Sequence, residues 1–279
     1  MQRKGMKSSG KRHPIFTWNF YEGEIVVTKH GFKVKKRFSL MTGVIFLVAL
    51  GGWTELPLEA TYERPAVDAE TALKANFYED VKIVDGLDSY QVLVNKNFAL
   101  TPDDAPKDLR VIQVLDANRN FNLTIKMRSR AADMVEQLFQ AAAAEDYNLL
   151  AVSGYRSYPH QKDLYEYYVQ EHGKKEADRF SARPGHSEHQ TGLALDVSSI
   201  SLDGKITENF GETPEGIWLV NNAHLFGFII RYPEEREQET GFMYEPWHLR
   251  YVGIAPARII QQNNWIFEEY VENVLGMAR

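Results

Sequence analysis

The sequence contains no cysteine. This absence excludes disulfide bonds, zinc sites built from thiolates and cysteine nucleophiles. It does not decide the compartment, because disulfides are common but not required in proteins outside the cytoplasm. Among the ligands that zinc accepts, imidazole and carboxylate groups remain available.

Basic residues are scarce after residue 37. Ten of the 32 lysines and arginines lie in residues 1–37, but only two of the 38 acidic residues do. That segment has a formal charge of +8, and the remainder of the chain has a charge of -14. A globular part this acidic is a poor candidate for binding nucleic acid, because phosphate contacts dominate that affinity. We therefore expect no nucleic-acid partner.

Long hydrophobic runs are absent, with one exception at residues 38–54, which carry no charge. A helix needs about 20 apolar residues to span a bilayer, with a lower limit near 17. We expect residues 38–56 to form a single-pass anchor in the cell membrane, and the cations Lys35, Lys36 and Arg37 to keep the N-terminus cytoplasmic. A cleaved signal peptide and a buried helix of a soluble protein are the alternatives. Both the anchor and the signal peptide place the globular part outside the cytoplasm, so we expect an extracellular domain.

The chain divides into further parts on either side of this run. Residues 1–37 form a basic cytoplasmic tail, in which residues 15–34 indicate either a short hairpin or a flexible segment. Residues 57–80 are polar, contain proline breakers and are typical of a linker. Residues 81–279 form the folded domain, and a chain with 44% hydrophobic residues can bury a full core.

Helix and strand patterns intermix in the folded domain without a repeated βαβ unit. Apolar residues at steps of three and four predict a helix over residues 129–146 and one closing helix over residues 255–275. Residues 90–94 (YQVLV) and 193–198 predict strands, and the second strand carries Asp196 on the face opposite its leucines. We therefore expect an α+β fold, with a small, mostly antiparallel sheet flanked by helices.

The most specific pattern in the sequence is S-x-H-x-x-G-x-A-x-D, followed downstream by E-x-x-H. His189, Asp196 and His248 offer two imidazoles and one carboxylate, which can hold a zinc ion and leave one position open for water. A single histidine is more often an ordinary surface or core residue, so the prediction depends on the complete set. Gly192 lets the backbone turn between the first two ligands.

Two further residues have chemistry that suits hydrolysis at such a site. Glu245 precedes His248 by three positions and suits proton transfer from the attacking water to the leaving amine. Arg156 follows a predicted strand at residues 149–153 and suits stabilisation of the tetrahedral oxyanion. The alternatives are a salt-bridged surface glutamate and a surface arginine with an acidic neighbour.

Three polar residues are candidates for contacts with a peptide substrate. Ser187 and Gln161 can hydrogen-bond to a peptide; the alternative is that both are ordinary solvated polar residues. Arg183 can hold a substrate carboxylate with both arms of its guanidinium group. Its alternative role is a salt bridge that locks its own loop.

The segments SGYRSYPHQ, ADRFSARPGHSEHQTGLALDVS and YEPWHLRYVG resemble the VanY-like D-alanyl-D-alanine carboxypeptidases, which belong to the LAS metallopeptidases. The resemblance covers residues 90–260 and implies a small α+β domain with one zinc ion per chain. It maps the zinc ligands onto His189, Asp196 and His248, the catalytic base onto Glu245, and the oxyanion-stabilising arginine onto Arg156.

The resemblance implies removal of the C-terminal D-alanine from peptidoglycan stem pentapeptides. The motif excludes the serine-type D-Ala-D-Ala carboxypeptidases. An L,D-carboxypeptidase acting on tetrapeptide stems is the first alternative, since relatives of that kind share all five catalytic positions. An endopeptidase and a non-catalytic module that binds the cell wall or a metal are the others, and the intact Glu245 favours the enzymes. We expect a monomer whose partners are the stem peptide and, through the N-terminal helix, the membrane.

Overall fold

The computed structural model describes residues 17–20, 23–28, 31–35, 77–117 and 125–277. The chain forms two compact units, Met1–Glu63 and Arg64–Arg279. The predicted membrane span and most of the predicted linker lie outside the described residues. Within the described part of the chain, no helix is both long enough and apolar enough to cross a bilayer.

Three strands form in the first unit: β1 (Thr17–Phe20), β2 (Gly23–Thr28) and β3 (Gly31–Lys35). They pair antiparallel in that order. Runs rich in aromatic and β-branched residues, separated by two residues each, favour this arrangement. Of the two interpretations left open for residues 15–34, the structure agrees with the hairpin and adds a third strand.

The second unit contains the remaining strands and all of the α-helices in the described residues. Its strands are β4 (Lys82–Ile83), β5 (Phe98–Ala99), β6 (Leu109–Val111), β7 (Lys126–Arg128), β8 (Leu149–Ser153), β9 (Ala194–Ser199), β10 (Phe228–Tyr232) and β11 (Glu245–Tyr251). Its helices are α1 (Ser129–Ala144), α2 (Tyr158–His172), α3 (Lys174–Phe180), α4 (Pro214–Asn222), α5 (Glu237–Thr240), α6 (Ile254–Asn263) and α7 (Phe267–Leu275). Short 3-10 turns lie at Glu188–Thr191, Ile200–Leu202, Glu208–Glu212 and Ala223–Phe226.

A four-stranded antiparallel sheet in the order β10-β11-β9-β8 forms the centre of this unit. His248 on β11 pairs directly with Asp196 on β9, and Leu249 pairs with Leu195. Because side chains alternate across a strand, the two polar residues share one face and the two leucines share the other. A parallel pair, β4-β5, and an antiparallel pair, β6-β7, lie beside it. The predicted α+β fold with a mostly antiparallel sheet is confirmed.

Helix α1 covers the apolar face of the central sheet. It was predicted to end near residue 146 and ends two residues earlier. Its Val135 and Leu138 belong to the same buried core as Leu195 and Leu249. Full burial of an aliphatic side chain of this size contributes about 1.5–3 kcal/mol. The apolar face is therefore closed by the core, and the opposite face of the sheet is left for the polar residues.

The prediction of one closing helix is wrong, because the chain breaks it into α6 and α7. Asn264 has a φ of 51° and ends α6. Asparagine is one of the few residues other than glycine that adopt this left-handed conformation readily. The backbone N–H of Ile266 then donates to Glu269 Oε2 at 2.8 Å, which caps the start of α7. The break allows Phe267 to pack into a second core around Ile229 and Val252.

The predicted strand at residues 90–94 is also wrong. Val92 and its two following residues are buried, which explains the apolar pattern, but the segment is not part of any sheet in the described residues. Arg250 Nη2 donates instead to the carbonyl oxygens of Tyr90 (3.1 Å) and Val92 (2.6 Å). An arginine side chain thus satisfies the backbone acceptors that a neighbouring strand would otherwise satisfy.

Candidate active site

The three predicted metal ligands meet on the polar face of the central sheet. His189 Nε2 lies 3.2 Å from Asp196 Oδ2, and His248 Nδ1 lies 3.2 Å from Asp196 Oδ1. One ligand atom from each residue lies within 4.8 Å of the other two, and all three residues are buried. The register of β9 and β11 causes this proximity, since it places Asp196 and His248 directly opposite each other.

The turn before β9 positions the third ligand, His189. This 3-10 turn ends at Gly192, which has a φ of 67°. A Cβ atom at Gly192 would also lie only 2.8 Å from Leu109 Cδ2, so both backbone conformation and space require glycine there. His189 Nδ1 lies 2.7 Å from the carbonyl oxygen of Gly154. When Nδ1–H donates to that carbonyl, the lone pair of Nε2 faces Asp196.

The chemistry of this donor set fits a zinc ion, which accepts imidazole and carboxylate ligands at about 2.0–2.2 Å. Each imidazole nitrogen lies 3.2 Å from a different oxygen of Asp196, so the three side chains are close enough to share one ion. Asp196 Oδ1 is a buried acceptor that receives no well-aligned hydrogen bond within the described part of the chain. A cation held between this oxygen and the two imidazoles would satisfy it.

The protonation of the ligands depends on burial and on their mutual charges. Burial raises the pKa of Asp196, but the two imidazoles outweigh burial and hold that pKa well below its usual range. Burial lowers the pKa of His189. For His248, burial is outweighed by the carboxylates of Asp196 and Glu188, which raise its pKa to about 9. A metal ion must therefore displace a proton from His248 at neutral pH.

Glu245 stands at the start of β11, beside the ligand cluster. Its Oε2 lies 3.7 Å from His248 Nδ1, the nitrogen that faces Asp196. Burial raises the pKa of Glu245 to about 8; Asp196 adds to this shift, whereas His248 opposes it. A bound dication would lower that pKa again. Such a carboxyl group has the position and the proton affinity of a general base.

Arg156 approaches the cluster from the end of β8. Its Nη2 donates to Ser153 Oγ at 2.8 Å and lies 4.0 Å from Asp196 Oδ2. Its Nη1 donates to Gln161 Oε1, also at 2.8 Å, and Gln161 Nε2 donates to the carbonyl oxygen of Ala182 at 2.7 Å. Both ends of the Gln161 amide are therefore used within the protein, and this residue holds Arg156 in place.

The other two candidates for substrate contact differ in position. Ser187 is buried and lines the cavity at the ligand cluster. Arg183 does not line that cavity: its Nε and Nη2 donate to the two carboxylate oxygens of Asp178 at 3.0 and 2.8 Å. Its guanidinium group also lies 3.7 Å from the centre of the Tyr78 ring. These contacts agree with the salt bridge that locks the loop, the alternative role for Arg183.

The ligand cluster opens into a cavity of about 840 Å³. A cavity of this size accommodates a short peptide or a drug-sized ligand. Its lining comes from α2, from α3 and the loop that follows, from the segment after β9 and from β11. The lining includes Leu164, Tyr168, Phe180, Ile206, Phe242 and Trp247, with the acidic Glu176 and Glu208.

Four buried charged residues behind His248 were missed in the sequence. Glu188 lies 3.4 Å from His248 Nε2 and accepts from both Arg231 and Arg250, and Arg231 also pairs with Glu268. Burial would raise the pKa of Glu188, but Arg250 and Arg231 outweigh burial and hold it well below its usual range. The available signal was the presence of arginine in the otherwise apolar strand FIIRY and beside apolar residues in EPWHLRY. Charge in a buried strand requires a buried partner.

The chain is similar to known proteins over most of its second unit. A family model described as VanY, D-alanyl-D-alanine carboxypeptidase, matches residues 124–254. The bifunctional D-Ala-D-Ala dipeptidase and D-Ala-D-Ala carboxypeptidase VanXYC of Enterococcus gallinarum is 34% identical over 189 residues, which are 67% of this chain and 96% of that protein.

Two solved structures share the fold. The LdcB LD-carboxypeptidase is 43% identical with a TM-score of 0.66, and the match covers 70% of this chain and 92% of that one. A mutant of the vancomycin resistance D,D-pentapeptidase VanY, solved in complex with Zn(II), is 30% identical with a TM-score of 0.56. That match covers 65% of this chain and 98% of the other.

Proposed function

The chain belongs to the VanY D-alanyl-D-alanine carboxypeptidase family, and on that premise we propose that it is a zinc-dependent carboxypeptidase acting on peptidoglycan stem pentapeptides. The reaction is hydrolysis of the last peptide bond, with release of D-alanine. The observation that carries the proposal is the buried cluster of two imidazoles and a carboxylate, which lines a cavity together with Glu245 and Arg156.

The ligand atoms are His189 Nε2, His248 Nδ1 and a carboxylate oxygen of Asp196. When bound there, zinc supplies Lewis-acid chemistry: it polarises a carbonyl and makes water nucleophilic at neutral pH. With a pKa of about 9, His248 would release a proton when a metal binds at neutral pH.

Glu245, beside His248, and Arg156, near Asp196, act on the substrate in different roles. Glu245 accepts a proton from the attacking water as the C–O bond forms, and then gives that proton to the leaving amine as the C–N bond breaks. Arg156 donates to the oxyanion that develops on the scissile carbonyl. Ser153 and Gln161 hold its guanidinium group in one orientation, which reduces reorganisation during the reaction.

An L,D-carboxypeptidase acting on tetrapeptide stems is the second candidate. One observation favours it: LdcB, described as an LD-carboxypeptidase, is 43% identical to the chain, against 30% for VanY. The two activities require the same hydrolytic groups and differ in the stereochemistry and length of the stem that the cavity accepts.

Purified muropeptides distinguish these candidates. The protein is incubated with zinc and with pentapeptide or tetrapeptide stems, and mass spectrometry records which stem loses alanine. Loss from the pentapeptide supports the D,D-carboxypeptidase, and loss from the tetrapeptide alone supports the L,D-carboxypeptidase. Internal cleavage would support an endopeptidase. Binding without any cleavage would support a non-catalytic module and contradict both carboxypeptidases.

We also propose that the domain works outside the membrane, held by an anchor at residues 38–56. The uncharged run and the cations before it support this proposal. Protease added to intact cells should remove the globular part and spare the basic tail. Release of the domain into the medium without protease would support a cleaved signal peptide, and full protection inside cells would contradict both.

A further inference from the structure

The buried charges behind His248 have a second consequence. We propose that Glu188 is a positioning residue that orients the His248 imidazole, so that its Nδ1 presents a lone pair to the metal. This inference rests on the metal site proposed above. It assigns a role to a residue that neither holds the metal nor contacts the substrate.

The two carboxylate oxygens of Glu188 have separate partners. Oε2 lies 3.4 Å from His248 Nε2, the ring nitrogen that does not face Asp196. Oε1 accepts from Arg231 Nε at 2.8 Å and from Arg250 Nη1 at 2.6 Å. The arginines therefore fix the carboxylate, and one oxygen remains directed at the imidazole. In the neutral imidazole, an Nε2–H that donates to this oxygen leaves Nδ1 without a proton, which is the tautomer that a metal at Nδ1 needs.

The cost of burying this network supports a functional role. Arg231 and Arg250 are fully buried, and Glu188 and Glu268 are 1% and 3% exposed. Buried ion pairs are often no better for stability than apolar residues of the same volume, because each charge loses its hydration. A network of this kind behind one imidazole is therefore better explained by the orientation of that imidazole than by stability.

The surrounding contacts keep the network in one arrangement. Arg231 Nη1 and Nη2 donate to the two oxygens of Glu268 at 2.9 and 2.6 Å. Asn95 Nδ2 donates to Glu268 Oε1 at 3.0 Å. Arg250 donates to carbonyl oxygens of the segment before β5. Strands β10 and β11, helix α7 and that segment are thus joined around Glu188, which limits its freedom to move away from His248.

The chain offers a matched control for testing this role. Glu188→Gln and Glu268→Gln each neutralise one buried carboxylate of the same network without changing its volume much. Only the first replaces the carboxylate that faces His248 with a neutral amide. Both variants should lower the melting temperature of the metal-free protein, because each leaves a buried arginine with one charge fewer to pair with.

Zinc affinity separates positioning from stability. The purified full-length chain is stripped of metal, and zinc binding is measured by competition with a chromogenic chelator. We expect E188Q to bind zinc about 10–100-fold more weakly than the wild type, and E268Q to remain within about threefold, since its Glu188 still contacts His248. The absorption spectrum of the cobalt-substituted protein should change in E188Q and not in E268Q.

Three results would overturn the inference. Equal zinc affinity in E188Q and wild type would show that the contact with His248 is unimportant, and equal weakening in both variants would show a general structural effect. If E188Q does not fold, Glu188→Asp is measured instead: it keeps the charge but withdraws it by one methylene, and unchanged zinc affinity there would again refute the role. If the wild-type protein binds no zinc, the proposed metal site itself is wrong. That result is visible in the wild type alone and is therefore distinct from a failure of the role of Glu188.

Discussion

Replacing Glu245 with glutamine separates proton transfer from metal binding. The side chain keeps its shape but no longer accepts a proton. General-base catalysis contributes about 10²–10⁴-fold to a rate, equivalent to ~3–5 kcal/mol of activation free energy. We expect the kcat for alanine release to fall by a factor in that range. KM and zinc affinity should change little, because the three ligand atoms belong to His189, Asp196 and His248.

The same substitution should stabilise the metal-free protein at neutral pH. Burial raises the pKa of Glu245 from 4.5 to about 8. With a raised pKa, the carboxyl group's contribution to stability is full below pH 4.5 and is lost as the pH rises through 8. At pH 7, which lies about 2.5 units above the ordinary pKa of 4.5, the lost stability amounts to about 3 kcal/mol. Glutamine does not titrate and avoids the loss.

Both effects are measurable on one preparation. Mass spectrometry of muropeptides gives kcat, and thermal unfolding in the presence of chelator gives stability at pH 5 and pH 7.5. Glu212→Gln is the control, because Glu212 is exposed and lies outside the cavity lining; it should change neither quantity. Turnover near the wild-type value in E245Q would refute the assignment of the base. A melting temperature of E245Q that does not exceed the wild-type value at pH 7.5 would refute the effect of burial on this carboxyl group.

The remaining predictions concern the metal, the oxyanion and the turn. Zinc affinity should weaken about tenfold for each unit by which the pH falls from 8 to 6, because protons compete for His248, whose pKa is about 9. Chelator competition measures the affinity, and an affinity that does not depend on pH would contradict this prediction. Arg156→Lys should lower kcat about 10²–10³-fold with unchanged zinc content, since a lysine cannot contact Ser153 and Gln161 with two fixed arms. Steady-state kinetics measure this effect, and full activity would show that Arg156 has no part in the mechanism. Gly192→Ala should lower the free energy of unfolding by about 1–3 kcal/mol, given the φ of 67° and the 2.8 Å approach to Leu109; a denaturant titration showing less than about 0.5 kcal/mol would contradict it.

The three candidate metal ligands were predictable because their chemistry and their spacing are both local in the sequence. His189, Gly192 and Asp196 lie in one short motif, and Glu245 and His248 lie in another. Two imidazoles with a carboxylate suit zinc in any fold. The turn at Gly192 was also expected, since glycine adopts the left-handed backbone there without strain. The family prediction from these motifs is confirmed.

Helix periodicity and capping were similarly local. The apolar steps of α1 gave its position to within two residues, because its buried face follows the helical repeat. Asn264 divides the closing helices, however, and the apolar pattern continues across it. The choice between one helix and two depended on the left-handed backbone at that residue and on the packing of Phe267 into the second core.

Sequence alone determined which groups can hold the metal, because motif residues carry their chemistry with them. Tertiary structure decided which polar groups are free to act. Gln161 and Arg183 have the chemistry to bind a peptide, but Arg156 and Asp178 occupy them. In the sequence, nothing distinguishes Glu188 from a solvated residue of the motif. In the structure, Arg231 and Arg250 donate to it from strands far along the chain. Whether a charged side chain is exposed, paired or directed at an imidazole depends on long-range partners, and only the folded chain brings those partners together.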